Sequence, residues 1–107
     1  MNDHDIAVPI DPNAPVGTIQ TAVAGGVTIV LVRHSQGWTA ALDSCPHAGC
    51  SLSRMGELVD DNVLVCNCHG SEFDLVTGEV LQEPAEQPLR ILRSALAADG
   101  TSLLVAF

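Results

Sequence analysis

Apolar residues in this chain fall into short β-branched runs, at 18–23, 27–33, 38–42, 63–66, 89–96 and 103–107, and not into a helical stripe. Runs of four to eight residues rich in Val, Ile and Thr predict strands. Between them stand turn-forming groups, Gly25-Gly26, Ser35-Gln36-Gly37, Asp60-Asp61-Asn62, Thr77-Gly78 and Asp99-Gly100, whose spacing predicts antiparallel hairpins. No long amphipathic helix is evident, and at most a short helical turn is expected near 51–55. Residues 1–15, rich in Asp and Pro, predict a first edge strand followed by an extended linker. The pattern is that of an all-β chain without internal repeats.

Two boxes interrupt this pattern where strands give way to Gly-containing loops. Cys45-Pro46-His47-Ala48-Gly49-Cys50 and Cys66-Asn67-Cys68-His69-Gly70-Ser71 together hold every cysteine of the chain. Each offers one thiolate and one imidazole, Cys45 with His47 and Cys66 with His69. Segment 51–65 is short enough to form a hairpin that returns the second box beside the first. Two matched half-sites suggest a two-plus-two metal centre. A [2Fe-2S] cluster with two thiolates on one iron and two neutral histidines on the other carries less negative charge than an all-cysteine cluster, so it is easier to reduce. Zinc modules usually open with C-x(2-4)-C and not C-x-H; a non-redox zinc-binding interaction module is therefore the remote alternative. Covalent haem attachment needs C-x-x-C-H, one residue more than the second box provides. A disulfide framework alone leaves His47 and His69 without a reason.

The sequence C-P-H-A-G-C followed by C-N-C-H-G-S resembles the Rieske iron-sulfur protein family, and within it the disulfide-bearing branch of quinol-oxidising complexes and arsenite oxidase small subunits. The similarity continues through Phe73, Asp74, Thr77 and Gly78 to Pro84-Ala85, which is similar to the proline loop that shields the cluster, and it runs from about Val16 to Phe107. The resemblance implies a Rieske-type antiparallel β-sandwich with a small cluster-binding subdomain at 43–85, all within one domain spanning 1–107. It implies a Rieske-type [2Fe-2S] cluster on Cys45, His47, Cys66 and His69, and a disulfide between Cys50 and Cys68. Gly49 and Gly70 are expected to let the backbone approach the cluster. In the family the serine equivalent to Ser71 donates a hydrogen bond to a bridging sulfide. High-potential members place a tyrosine two positions later, where this chain has Phe73. One lost hydrogen bond of about 1 kcal/mol lowers a one-electron potential by roughly 40–50 mV. The expectation is an intermediate potential, inside the Rieske range of about −150 to +300 mV but below its top.

Charge and length narrow the function. Thirteen acidic residues against four basic ones give a formal charge of −9, which argues against nucleic acid, where clustered Lys and Arg neutralise phosphates, and suits a redox partner with a basic face. In 107 residues no second set of histidines and carboxylates remains for the mononuclear iron of a Rieske oxygenase. The expected role is an electron carrier and not an enzyme: a ferredoxin between a reductase and a terminal oxygenase, or alternatively a subunit of a larger arsenite oxidase-like or quinol-oxidising complex. Electrons are expected to leave through the edge of His47 or His69, with a potential that falls as pH rises past the histidine pKa of the oxidised state. The first residues lack a basic region, an apolar stretch and twin arginines, so the expected location is cytoplasmic, or periplasmic if a signal was removed or export is with a partner. His4 and His34 are expected to be merely solvated, and Trp38 to fill the core.

Overall fold

A computed structural model describes residues 5–45, 50–83 and 87–106. The elements are β1 (Asp5–Pro9), β2 (Ile19–Ala24), β3 (Val27–His34), β4 (Gly37–Leu42), α1 (Leu52–Met55), β5 (Gly56–Val59), β6 (Val63–Cys66), β7 (Ser71–Asp74), β8 (Val80–Gln82), β9 (Ile91–Leu92), β10 (Ser94–Leu96) and β11 (Ser102–Ala106). They form three antiparallel sheets, in the orders β1-β11-β10, β2-β3-β4-β9 and β5-β6-β7-β8.

The second sheet is the middle layer. Ile29, Leu31 and Ala40 pack against Val8, Leu103 and Val105 of the first sheet, while Val30, Val32 and Ala41 pack against Leu64, Phe73 and Leu75 on the third-sheet side. Four consecutive residues of β3, from Ile29 to Val32, are therefore buried. A strand covered on both faces needs apolar side chains at every position, which explains the unbroken run. The third sheet is covered on one face only. Leu64, Cys66, Ser71 and Phe73 point inward and are buried, while Val63, Val65, Glu72 and Asp74 alternate with them half-buried on the outer side. Phe73 lies opposite Leu64 in the ladder and is fully buried.

Several details differ from the pattern reading. The run 89–96 is not one strand: β9 pairs with β4 in the middle sheet, and β10 pairs with β11 in the first. The chain changes layer at Arg93, whose carbonyl still accepts the Ala106 N–H at 2.8 Å. The pattern does not reveal β5, β7 and β8, which are short and hold few apolar residues: Ser-Glu-Phe-Asp has Phe73 alone, its other inward position being Ser71. Trp38 is half-buried at the edge of the first core and does not fill it. His34 is not solvated: it is 4% exposed, and its Nε2 lies 2.7 Å from the Thr39 hydroxyl. The predicted position of the helical turn coincides with α1, whose Leu52 is fully buried. No helix among the described residues is long and apolar enough to cross a membrane.

Candidate metal centre

Each box hangs between elements that fix its two ends. The first leaves β4 and enters α1. At its start the Asp43 carboxylate accepts the Ser53 N–H at 2.6 Å and the hydroxyls of Ser53 and Ser51 at 2.7 and 3.1 Å. One carboxylate thus gathers both ends of the loop and caps the first turn of α1, where a negative charge meets unsatisfied N–H groups. Within the loop the Cys45 N–H donates to the Cys50 carbonyl at 2.8 Å. Asp43 went unnoticed in the sequence; its signal was the Ser51-Leu52-Ser53 helix start, legible only once a partner eight to ten residues earlier is known.

The second box joins β6 to β7. The Gly70 N–H donates to the Cys66 carbonyl at 2.8 Å, closing a tight turn over 66–70, and the Asn67 N–H donates to the Met55 carbonyl at 2.8 Å, holding that turn against α1. Gly70 adopts φ +86°, a left-handed conformation that glycine reaches without strain. Ser71 is the ladder partner of Cys66, so the two side chains share the inner face, and Ser71 is 1% exposed.

The loops meet through their cysteines. Cys50 and Cys68 form a disulfide with Cα atoms 6.5 Å apart. Cys45 and Cys66 remain free thiols, 3% and 1% exposed. Burial pushes the Cys66 thiol up, the N–H groups of Cys68 and His69 aimed at it pull it down, and the adjoining Cys45 thiol, hydrogen-bonded to it, raises it further. His69 is exposed, and its ring nitrogen lies within 4.8 Å of the Cys50 and Cys68 sulfurs. Cys45, Cys66, His69, Ser71 and the disulfide are thus gathered at one end of the third sheet, with Phe73 in the core beneath. His47, Gly49 and Pro84, also named from the sequence, lie outside the described residues, as does His4.

The Rieske [2Fe-2S] domain profile matches residues 7–93. The biphenyl dioxygenase ferredoxin subunit of Pseudomonas sp. (strain KKS102) is 35% identical over 68 residues, 64% of this chain and 60% of that protein. The cytochrome b6-f complex iron-sulfur subunit of Synechococcus elongatus is 34% identical over 55 residues, 51% of this chain and 28% of that protein. The chain therefore spans less than two thirds of the length of these curated relatives. Among solved structures, a chain in the complex of reduced oxygenase and oxidised ferredoxin of carbazole 1,9a-dioxygenase superposes with a TM-score of 0.82 at 28% identity, covering 98% of this chain and 94% of its own.

Proposed function

The chain belongs to the Rieske [2Fe-2S] domain family, and from that premise we propose that it is a one-electron carrier passing electrons from a reductase to a terminal oxygenase. Its cofactor is a Rieske-type [2Fe-2S] cluster. The donor set fits that group. Cys45 and Cys66 are buried side by side and unbridged in a fold whose other two cysteines are joined, and soft thiolates are the ligands iron-sulfur centres take. That pair is the single observation carrying the proposal. Cys45 and Cys66 would hold one iron, and His47 and His69 the other.

When bound, such a cluster supplies one reversibly transferred electron. The remaining work falls to the chain. The N–H groups of Cys68 and His69 stabilise negative charge on the Cys66 sulfur. Leu52, Leu64, Phe73 and Leu75 exclude water from the thiol side, and the disulfide keeps the two loops together. His69 is exposed and gives the electron a short way out to a partner. The charge of −9 favours partners with a basic docking face.

A second reading rests on the Cys50–Cys68 bridge, which belongs to the disulfide-bearing branch that the sequence resembles: a subunit of a larger quinol-oxidising or arsenite oxidase-like complex. Potentiometric titration of the holoprotein separates the two. A low potential within the Rieske range supports the ferredoxin, and a clearly positive one supports the complex subunit. A colourless protein without a redox transition would overturn both and leave the zinc module.

A further inference from the structure

The hydrogen bonds around His34 fix its tautomer. Thr39 Oγ1 donates its hydrogen to the Leu75 carbonyl at 2.9 Å, so toward His34 that oxygen can only accept, and Nε2, 2.7 Å away, carries the proton. The Gln36 N–H approaches Nδ1 at 3.3 Å, which must then be the bare acceptor. All these groups are satisfied together only when the imidazole is neutral.

This chain of bonds crosses between layers. His34 ends β3 and Thr39 lies in β4 of the middle sheet, whereas Leu75 follows β7 of the third. Beside it the Ser35 N–H donates to the Asp61 carbonyl at 3.1 Å, so with Thr39–Leu75 the β3–β4 hairpin grips the far end of the third sheet at two points, while the Leu75 N–H donates to the Asn62 carbonyl at 2.9 Å within that end. We propose that neutral His34 is a positioning residue that locks the third sheet, with Cys66, Ser71 and Phe73, onto the middle sheet, and that a proton arriving on Nδ1 opens this lock. A protonated Nδ1 leaves the Thr39 contact in place but sets donor against donor at the Gln36 N–H, displacing the turn whose Ser35 N–H crosses to Asp61, and places a buried cation beside Arg33.

The surrounding charges agree. Burial lowers the His34 pKa, the Arg33 guanidinium lowers it further, and Asp74 on β7 partly opposes them. Arg93, between β9 and β10, lines the same groove of about 350 Å³ as His34, Trp38 and Thr39 and adds no negative charge. With the folded pKa below the unfolded 6.5, the folded state binds fewer protons between those values. The contribution of the lock is full above the unfolded pKa and is lost as pH falls from there through the folded pKa. The lock holds whether or not the chain carries electrons.

Hydrogen exchange on the oxidised holoprotein tests this, comparing wild type with His34→Gln at about pH 7.5 and about pH 5. A Gln side chain can donate to Thr39 without titrating, and the comparison cancels the intrinsic pH dependence of exchange. Wild type should lose protection over 35–39 and 74–76 at the lower pH, up to tenfold per unit of pKa depression, while His34→Gln does not and the β1–β11 pair is unchanged in both. Equal pH dependence in the two proteins, or loss spread evenly over the chain, would overturn the proposal. Should His34→Gln fail to fold, Thr39→Val is expected to open the seam at both pH values and Thr39→Ser to keep the wild-type profile. A nitrogen NMR spectrum placing the proton on Nδ1 near neutral pH would also overturn it.

Discussion

Replacing Cys50 and Cys68 together by serine removes the covalent tie between the two loops while leaving Cys45, Cys66 and His69 in place. The bridge closes a loop between residues 18 apart in sequence. The chain-entropy relation for a loop of that length gives about 3 kcal/mol of stabilisation, through restriction of the unfolded chain. With a urea slope of about 1–3 kcal/mol per molar for a protein of this size, the midpoint should fall by roughly 1–3 M. Equilibrium urea unfolding followed by far-UV circular dichroism reads this directly, with visible absorbance followed in parallel. A thiol titration on the denatured, cluster-free chain is the companion assay. It should find two reactive thiols before reduction and four after, as expected for free Cys45 and Cys66 and a bridged Cys50–Cys68. A midpoint shift worth less than about 1 kcal/mol would refute the reasoning, because the bridge would then add little to the hydrogen bonds that already hold the two boxes.

Phe73→Tyr should raise the reduction potential by roughly 40–50 mV, the worth of one added hydrogen bond toward the cluster ligands; redox titration checks this, and an unchanged or lower potential would contradict it. Gly56→Ala should destabilise the fold by about 1–3 kcal/mol in urea unfolding, since the added Cβ would collide with the Leu52 carbonyl oxygen and press on the Leu64 side chain. Wild-type stability in that assay would show that α1 can move away from β5. Asp43→Asn, which weakens the charge-assisted contacts to Ser51 and Ser53, should cost about 1 kcal/mol and speed the loss of visible absorbance on mild heating; unchanged cluster retention would show that the first box is held by other contacts.

How far the sequence alone carried depended on whether one residue's neighbours lay close along the chain. The middle sheet was legible, since burial of β3 on both faces writes an unbroken apolar run. The third sheet was only partly so: β6 showed through Val63, Leu64 and Val65, but β7, with Glu72 and Asp74 facing outward, carries half the signal, and β8 is three residues long. The layer change at Arg93 left little mark, because apolar residues continue on both sides of it, in Ile91-Leu92 and Ala95-Leu96, and what separates the two strands is their ladder partners. In the candidate metal centre the composition and spacing of the two boxes suggested a two-plus-two donor set, of which the described residues include Cys45, Cys66 and His69. The Cys50–Cys68 pairing followed from the family resemblance and is the bridge that the structure contains. Asp43 and His34 escaped for one reason: a polar side chain acquires a structural meaning from its partners, and Leu75 lies 36 residues from Thr39.

The most direct measurement is Mössbauer spectroscopy of the holoprotein enriched in iron-57, together with iron and acid-labile sulfide analysis. Two irons and two sulfides per chain, with two inequivalent iron signals of equal area that separate further on reduction, are predicted, because one iron would sit between the Cys45 and Cys66 sulfurs and the other between the imidazoles of His47 and His69. A single iron, or two irons with indistinguishable signals, would contradict the assignment.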